Sequence, residues 1–215
     1  EIKPGAVNWM TSGKGIVHSE RTPEHLRTSK KALHGLQIWV ALPKDLEQTE
    51  PSFFHIDADK IPNWKMGNVE AKLIAGELFG YKSAVPVYSP LFLLELKSSK
   101  KEVITIGDEL FGESALYILD GSIESEGNNY ASKQILVAKD TQLCTFTMNE
   151  NTTVYIFGGE PFPEERTIYW NFVSSDKNLI EDAKTRWINQ EFDKVPGETE
   201  FVPLPEQQNN LKLKK

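Results

Sequence analysis

Gly15-Ile16-Val17-His18-Ser19-Glu20 is the stretch of this 215-residue chain whose residue types and spacing could do chemistry. A strand sends residues two apart to the same side, so the spacing predicts His18 and Glu20 projecting inward together from a strand over this segment. An imidazole nitrogen beside a carboxylate oxygen is half of a mononuclear metal site, and that mixed pair suits iron, with zinc, manganese, nickel or copper also able to bind. Taken alone, His-x-Glu is more often a surface pair or a satisfied structural histidine. The distribution of histidines sharpens the reading: His18, His25, His34 and His55 are the full set, so no histidine-based site can lie beyond residue 55. His25 beside Pro23 and Glu24 reads as a loop residue, His34 as a strand entry before Gly35, and His55 as part of a polar approach to a boundary. Each is expected to be structural or solvated.

The elements that must position such a pair follow a period of two. Gly35–Leu42 places Leu36, Ile38 and Val40 on one face and Gln37, Trp39 and Ala41 on the other. Further strand-like runs are Ala71–Ala75, Leu91–Leu96, Glu102–Ile106, Ala115–Leu119, Gln134–Ala138, Gln142–Met148 and Thr152–Phe157, punctuated by turn residues such as Asp120-Gly121 and Gly127-Asn128-Asn129. Many short strands between turns predict a sandwich or jelly-roll barrel. Ser174-Ser175-Asp176 then offers an N-cap, after which Leu179, Ile180, Ala183 and Trp187 recur at helical spacing, predicting an amphipathic helix running to about Phe192.

A boundary is expected near Asp57–Asn63. The residues before it are too few for a jelly roll of eight strands, whereas Trp64–Phe162 is long enough for a complete one. The resulting division is 1–58, the remainder of a first barrel; 59–163, a complete second barrel; 164–195, a return segment and the helix; and 196–215, a polar tail. The chain also opens on Glu1 and is strand-like within a few residues, which reads as an opening inside a longer protein.

Composition removes several classes of function. The formal net charge is −7, and no basic face is evident beyond the solvated ending Leu211–Lys215, so direct nucleic-acid binding is not expected. No apolar run approaches the roughly 18 residues of a membrane span, and no signal segment opens the chain. The single cysteine, Cys144, cannot form an internal disulfide, which favours a reducing, cytoplasmic setting. It alternates with Phe146 and Met148 and is expected to be a buried small hydrophobe. There is no phosphate-cradling glycine loop, G-x-S-x-G elbow or Cys-x-x-Cys pair. Gly158-Gly159 reads as a turn, and the aromatic stretch Glu165–Phe172 as a packing segment.

Several of these stretches together resemble the pirin family. They are VNWMTSGKGIVHSE (Val7–Glu20), HGLQIWVALP (His34–Pro43), ELFG (Glu77–Gly80), LYILDGSI (Leu116–Ile123) and GGEPFPEERTIYWNFV (Gly158–Val173), followed by the helix. The resemblance implies an all-β bicupin: two cupin-type jelly-roll barrels, the first incomplete in these residues, with a C-terminal α-helix. It implies one metal ion, usually iron, held in the N-terminal barrel by three His and one Glu. His18 and Glu20 match the second pair of those ligands. The first, a His-x-His, falls upstream of the matching block, and nothing in these residues replaces it. Gln37 and Trp39 would then stand behind the ligands in the central sheet, and the second barrel would carry no metal.

Two functions follow from the resemblance. One is an iron-dependent dioxygenase of the quercetin 2,3-dioxygenase type, with a small aromatic, flavonol-like substrate whose proton Glu20 would accept as the catalytic residue. The other is a redox- or metal-sensing regulator that docks on a transcription-related protein partner, for which an acidic surface suits protein better than DNA. A stable β scaffold with a vestigial site is the bland alternative.

Overall fold

The structure, a computed structural model, describes residues 1–29, 34–138 and 144–205. The ending Leu211–Lys215, the tail beyond Pro205 and the first two residues of the Gln142–Met148 run lie outside the described residues. The strands are β1 (Val7–Thr11), β2 (Ser52–Ile56), β3 (Asn63–Met66), β4 (Val69–Leu78), β5 (Tyr81–Lys82), β6 (Leu91–Ser98), β7 (Glu102–Thr105) and β8 (Glu113–Asp120). After them come β9 (Ser122–Ser125), β10 (Asn128–Ala131), β11 (Ile135–Val137), β12 (Thr145–Met148), β13 (Thr152–Gly159), β14 (Thr167–Tyr169) and β15 (Phe172–Ser174), and then the helix α1 (Lys177–Ile188). The chain forms two compact units, one of Ile2–Trp9 with Phe54–Pro161, the other of Met10–Phe53 with Glu1 and the residues from Phe162 onward. It passes between them within β1 and β2, which pair as a two-stranded ribbon.

The first unit is built on a pair of antiparallel sheets. One sheet runs β11-β8-β13-β6-β4-β3 with β5 on β4, the other β10-β9-β12-β7. Alternation drives this arrangement: in β4 the even spacing of Val69, Ala71 and Leu73 buries one face, and a register shift between Leu73 and Ala75 bends the strand. Leu94, Leu96, Leu116, Ile118, Val154 and Ile156 face Ile104, Ile123, Phe146 and Met148, all with 2% or less of their surface exposed. Each such leucine or isoleucine contributes about 1.5–3 kcal/mol by leaving water. The core cluster is aliphatic and aromatic with one Met.

Two sequence expectations change here. Gly158 and Gly159 continue β13 instead of turning, because a Cβ at Gly158 would stand 2.2 Å from the Glu113 carbonyl oxygen on the neighbouring strand. The glycines let strands approach closely at that point. Cys144 is half-buried rather than buried, its Sγ lying over Gly107 ahead of β12.

In the second unit, β14 and β15 form a tight hairpin in which Tyr169 pairs with Phe172. The expected packing role of this aromatic stretch is visible in a cluster of Trp170, Phe172, Trp187, Phe192 and Phe201, with ring centroids 5.1–6.4 Å apart. Helix α1 starts as predicted, Asp176 accepting from the Asn178 N–H at 2.8 Å. It ends at Ile188, before the expected Phe192. Gln190 adopts a left-handed φ of 56°, and the Gln190 and Glu191 amides return to the Trp187 and Arg186 carbonyls. That is a Schellman termination achieved without glycine, which is why pattern alone overran it. Residues 196–204 have no regular structure, yet they are packed: Phe201 stacks on Trp187 and Leu204 is 2% exposed.

Candidate functional site

Residues 15–20 lie outside any ladder or helix, and His18, Ser19 and Glu20 are all exposed. The strand and the inward orientation expected for His18 and Glu20 are therefore not found. A strand exists only where a neighbour shares its hydrogen bonds, and no described residue offers this segment a ladder. Gly35–Leu42 departs in the same way. It forms no strand, and of its alternating apolar residues Leu36 is 46% and Val40 44% exposed while Ile38 is half-buried. Gln37 and Trp39, expected in a central sheet, are exposed in this irregular stretch.

What holds the 14–21 segment is a set of contacts with residues far away in the chain. Arg186 Nη1 donates to the Lys14 carbonyl at 3.2 Å, and the Lys14 amide donates to Thr49 O at 2.9 Å. Gly15, at φ +125°, lies so close to Phe192 that a Cβ would come within 2.2 Å of its ring. On the other side, Arg21 makes a fork on Glu198, Nε to Oε1 at 2.9 Å and Nη2 to Oε2 at 2.6 Å, and also reaches Glu200 Oε2 at 2.6 Å. Ser19 Oγ donates to Glu198 Oε1 at 3.0 Å. Arg21 followed by Ser19 holds the Glu198 carboxyl down to about 2, well below the ordinary carboxylate range, and the same two glutamates raise the Arg21 guanidinium.

This arrangement leaves the two proposed donors uncommitted. Neither His18 nor Glu20 takes part in a hydrogen bond or ion pair among the described residues. Arg21, the adjacent cation, is spoken for by Glu198 and Glu200. In donor type the pair fits an iron ion, offering one imidazole nitrogen and one carboxylate oxygen. In number it is two of the three or four donors that a tight site needs, and among the described residues no group of three or more His, Cys, Asp and Glu converges. Of the other histidines, both ring nitrogens of His55 have partners, Nδ1 at 2.7 Å from Asn8 Oδ1 and Nε2 at 3.4 Å from Asp57; His25 and His34 are exposed, and His34 opens no strand.

Sequence reasoning missed a second polar centre. Glu47, 8% exposed, accepts from Ser174 Oγ at 2.6 Å and from the Ser175 amide at 2.9 Å. Arg166 Nε stands 3.0 Å from Glu47 Oε1 without aiming its N–H at it, so the contact is a charge pair and not a hydrogen bond. Its Nη1 and Nη2 donate to the Glu164 and Leu42 carbonyls, and its guanidinium lies 4.7 Å from the Phe162 ring centre. Arg166 thereby pins the end of the 34–42 stretch to the β14–β15 hairpin. No spacing rule links positions 124 apart, as Leu42 and Arg166 are.

Comparison with known proteins bears on the same segments. Residues 94–193 match the family described as Pirin C-terminal cupin domain, and residues 1–40 match the family described as Pirin. The chain is 43% identical over 208 residues to a pirin-like protein of Caulobacter vibrioides, covering 95% of this chain and 71% of that protein. It is 34% identical over 189 residues to pirin of Rattus norvegicus, covering 85% and 63%. Among solved structures, a quercetin 2,3-dioxygenase from Acinetobacter baumannii superposes with a TM-score of 0.83 at 27% identity, over 95% of this chain and 68% of that one. The chain thus spans roughly two thirds of the length of these relatives.

Proposed function

Because this chain belongs to the pirin family, we propose that His18 and Glu20 supply half of the donor set of a mononuclear iron site in an oxygenase of the quercetin 2,3-dioxygenase type. The observation that carries the reading is the likeness over 95% of the chain to a quercetin 2,3-dioxygenase, in a molecule that keeps an imidazole and a carboxylate two residues apart and without other partners among the described residues. The remaining donors are those of the family's His-x-His, which has no counterpart among residues 1–215. When bound, iron supplies the redox contact with dioxygen. Glu20 accepts the proton of a flavonol-like hydroxyl at its carboxylate, for which it must be unpaired, and the commitment of Arg21 to Glu198 and Glu200 keeps it so. Gln37 and Trp39 would stand behind these donors.

The test is iron retention and dioxygen uptake by the full-length protein with quercetin. His18→Ala is expected to abolish both while leaving the circular dichroism spectrum unchanged. Iron content that survives His18→Ala removes the site assignment. Iron lost with the substitution, but no dioxygen uptake by the wild type, removes the oxygenase and favours the metal-sensing regulator with a protein partner.

A further inference from the structure

We propose that Glu198 is a positioning residue for the His18–Glu20 pair, acting through Ser19 and Arg21. The inference rests on the reading of His18 and Glu20 as metal donors. Among the described residues, 16–20 have no ladder to hold them, so in this chain the placement of the two donors depends on the residues interleaved with them. Ser19 and Arg21 are those residues, and both are tied to the same carboxylate. Fixing alternate side chains fixes the backbone from which His18 and Glu20 project.

The carboxylate is itself held. The Glu198 amide donates to the Val195 carbonyl at 3.1 Å, closing a turn through Pro196 and Gly197. Beyond it, Trp187 Nε1 donates to the Val202 carbonyl at 2.9 Å and Leu204 is buried. Glu198 therefore stands between two anchored points of a packed segment. Most exposed ion pairs hold little in place, because two long side chains must be ordered for one contact. The Arg21–Glu198 fork differs, being bidentate, with the Glu198 side chain only 24% exposed.

Glu198 and Glu200 also keep Arg21 from Glu20. A released guanidinium one residue away would pair with the Glu20 carboxylate and compete with a cation for it. Loss of Glu198 thus loosens the donors and leaves Arg21 held by Glu200 alone.

The experiment is a Co(II) titration of the full-length protein, read by the cobalt d–d bands, with amide hydrogen exchange of residues 17–21 followed in the metal-free state. Glu198→Gln is expected to weaken Co(II) binding about 10-fold, to shift the bands and to speed exchange at residues 19–21. Its melting temperature should stay within about 3 °C of the wild type. Glu198→Asp, which keeps the charge, should recover part of the affinity. Wild-type Co(II) affinity and exchange in Glu198→Gln, with His18→Ala still losing cobalt, overturns the positioning role and leaves the metal reading standing. Undiminished Co(II) binding by His18→Ala overturns both. Equal losses in the Gln and Asp variants together with a large fall in melting temperature make Glu198 a folding residue and overturn the inference.

Discussion

Glu47→Ala should be the most damaging single polar substitution in the unit that carries α1, and the structure gives its size. The Glu47 carboxylate is the acceptor for the Ser174 hydroxyl and the Ser175 amide, and the nearer of two negative charges to Arg166, whose side chain is 10% exposed. The other, Glu164, lies 3.5 Å away at 38% exposure. Removing one partner of a buried pair costs about 3–5 kcal/mol, because the charge left behind cannot return to water. Glu164 and the two carbonyls still facing Arg166 keep the cost near the low end, about 3 kcal/mol. At roughly 2–4 °C per kcal/mol, the melting temperature should fall by about 6–12 °C. Glu47→Gln keeps the shape and an acceptor for the Ser175 amide, so it should lose only about 1–2 kcal/mol. Thermal and urea unfolding followed by tryptophan fluorescence would measure both. Glu47→Leu combined with Arg166→Met removes the charges together and should recover at least about 1 kcal/mol relative to the sum of the single changes. A Glu47→Ala protein melting within about 2 °C of the wild type, or strict additivity in the double variant, would refute the argument.

Two further substitutions probe the frame around the 14–21 segment. Gly15→Ala sets a Cβ 2.2 Å from the Phe192 ring at a φ of +125°. It should cost about 2–4 kcal/mol and change the emission of Trp187, whose ring lies 5.9 Å from that of Phe192; an unchanged melting curve would mean the contact is slack. Asp176→Ala removes the acceptor for the Asn178 amide and should cost about 1 kcal/mol, seen as faster exchange over residues 177–180, whereas Asp176→Asn should behave as the wild type.

The double sheet was legible because its signal is local and its partners are present. The Ala71–Ala75, Leu91–Leu96, Ala115–Leu119 and Thr152–Phe157 runs alternate, and each lies within a strand whose inner residues meet the same core. The same alternation in Gly35–Leu42 yields no strand among the described residues. Period two records which faces a strand would have, and the ladder must come from a second segment. Helix α1 shows the converse. Its cap is a local signal and was readable at Asp176, while its end is set by Gln190 in a left-handed conformation that a non-glycine residue does not advertise.

The candidate site divides along the same line. His-x-Glu is a spacing, and it picked out the two residues proposed as donors. What holds the residue next to Glu20 is a contact between Arg21 and Glu198, 177 positions apart, on which spacing is silent. The physical content of the site lies in that contact. A carboxylate that is to meet a cation must be kept from the arginine next to it, and in this chain Glu198 and Glu200 take that arginine. The segment that follows α1, read from its sequence as a polar tail, holds Ser19 and Arg21 through Glu198 and Glu200.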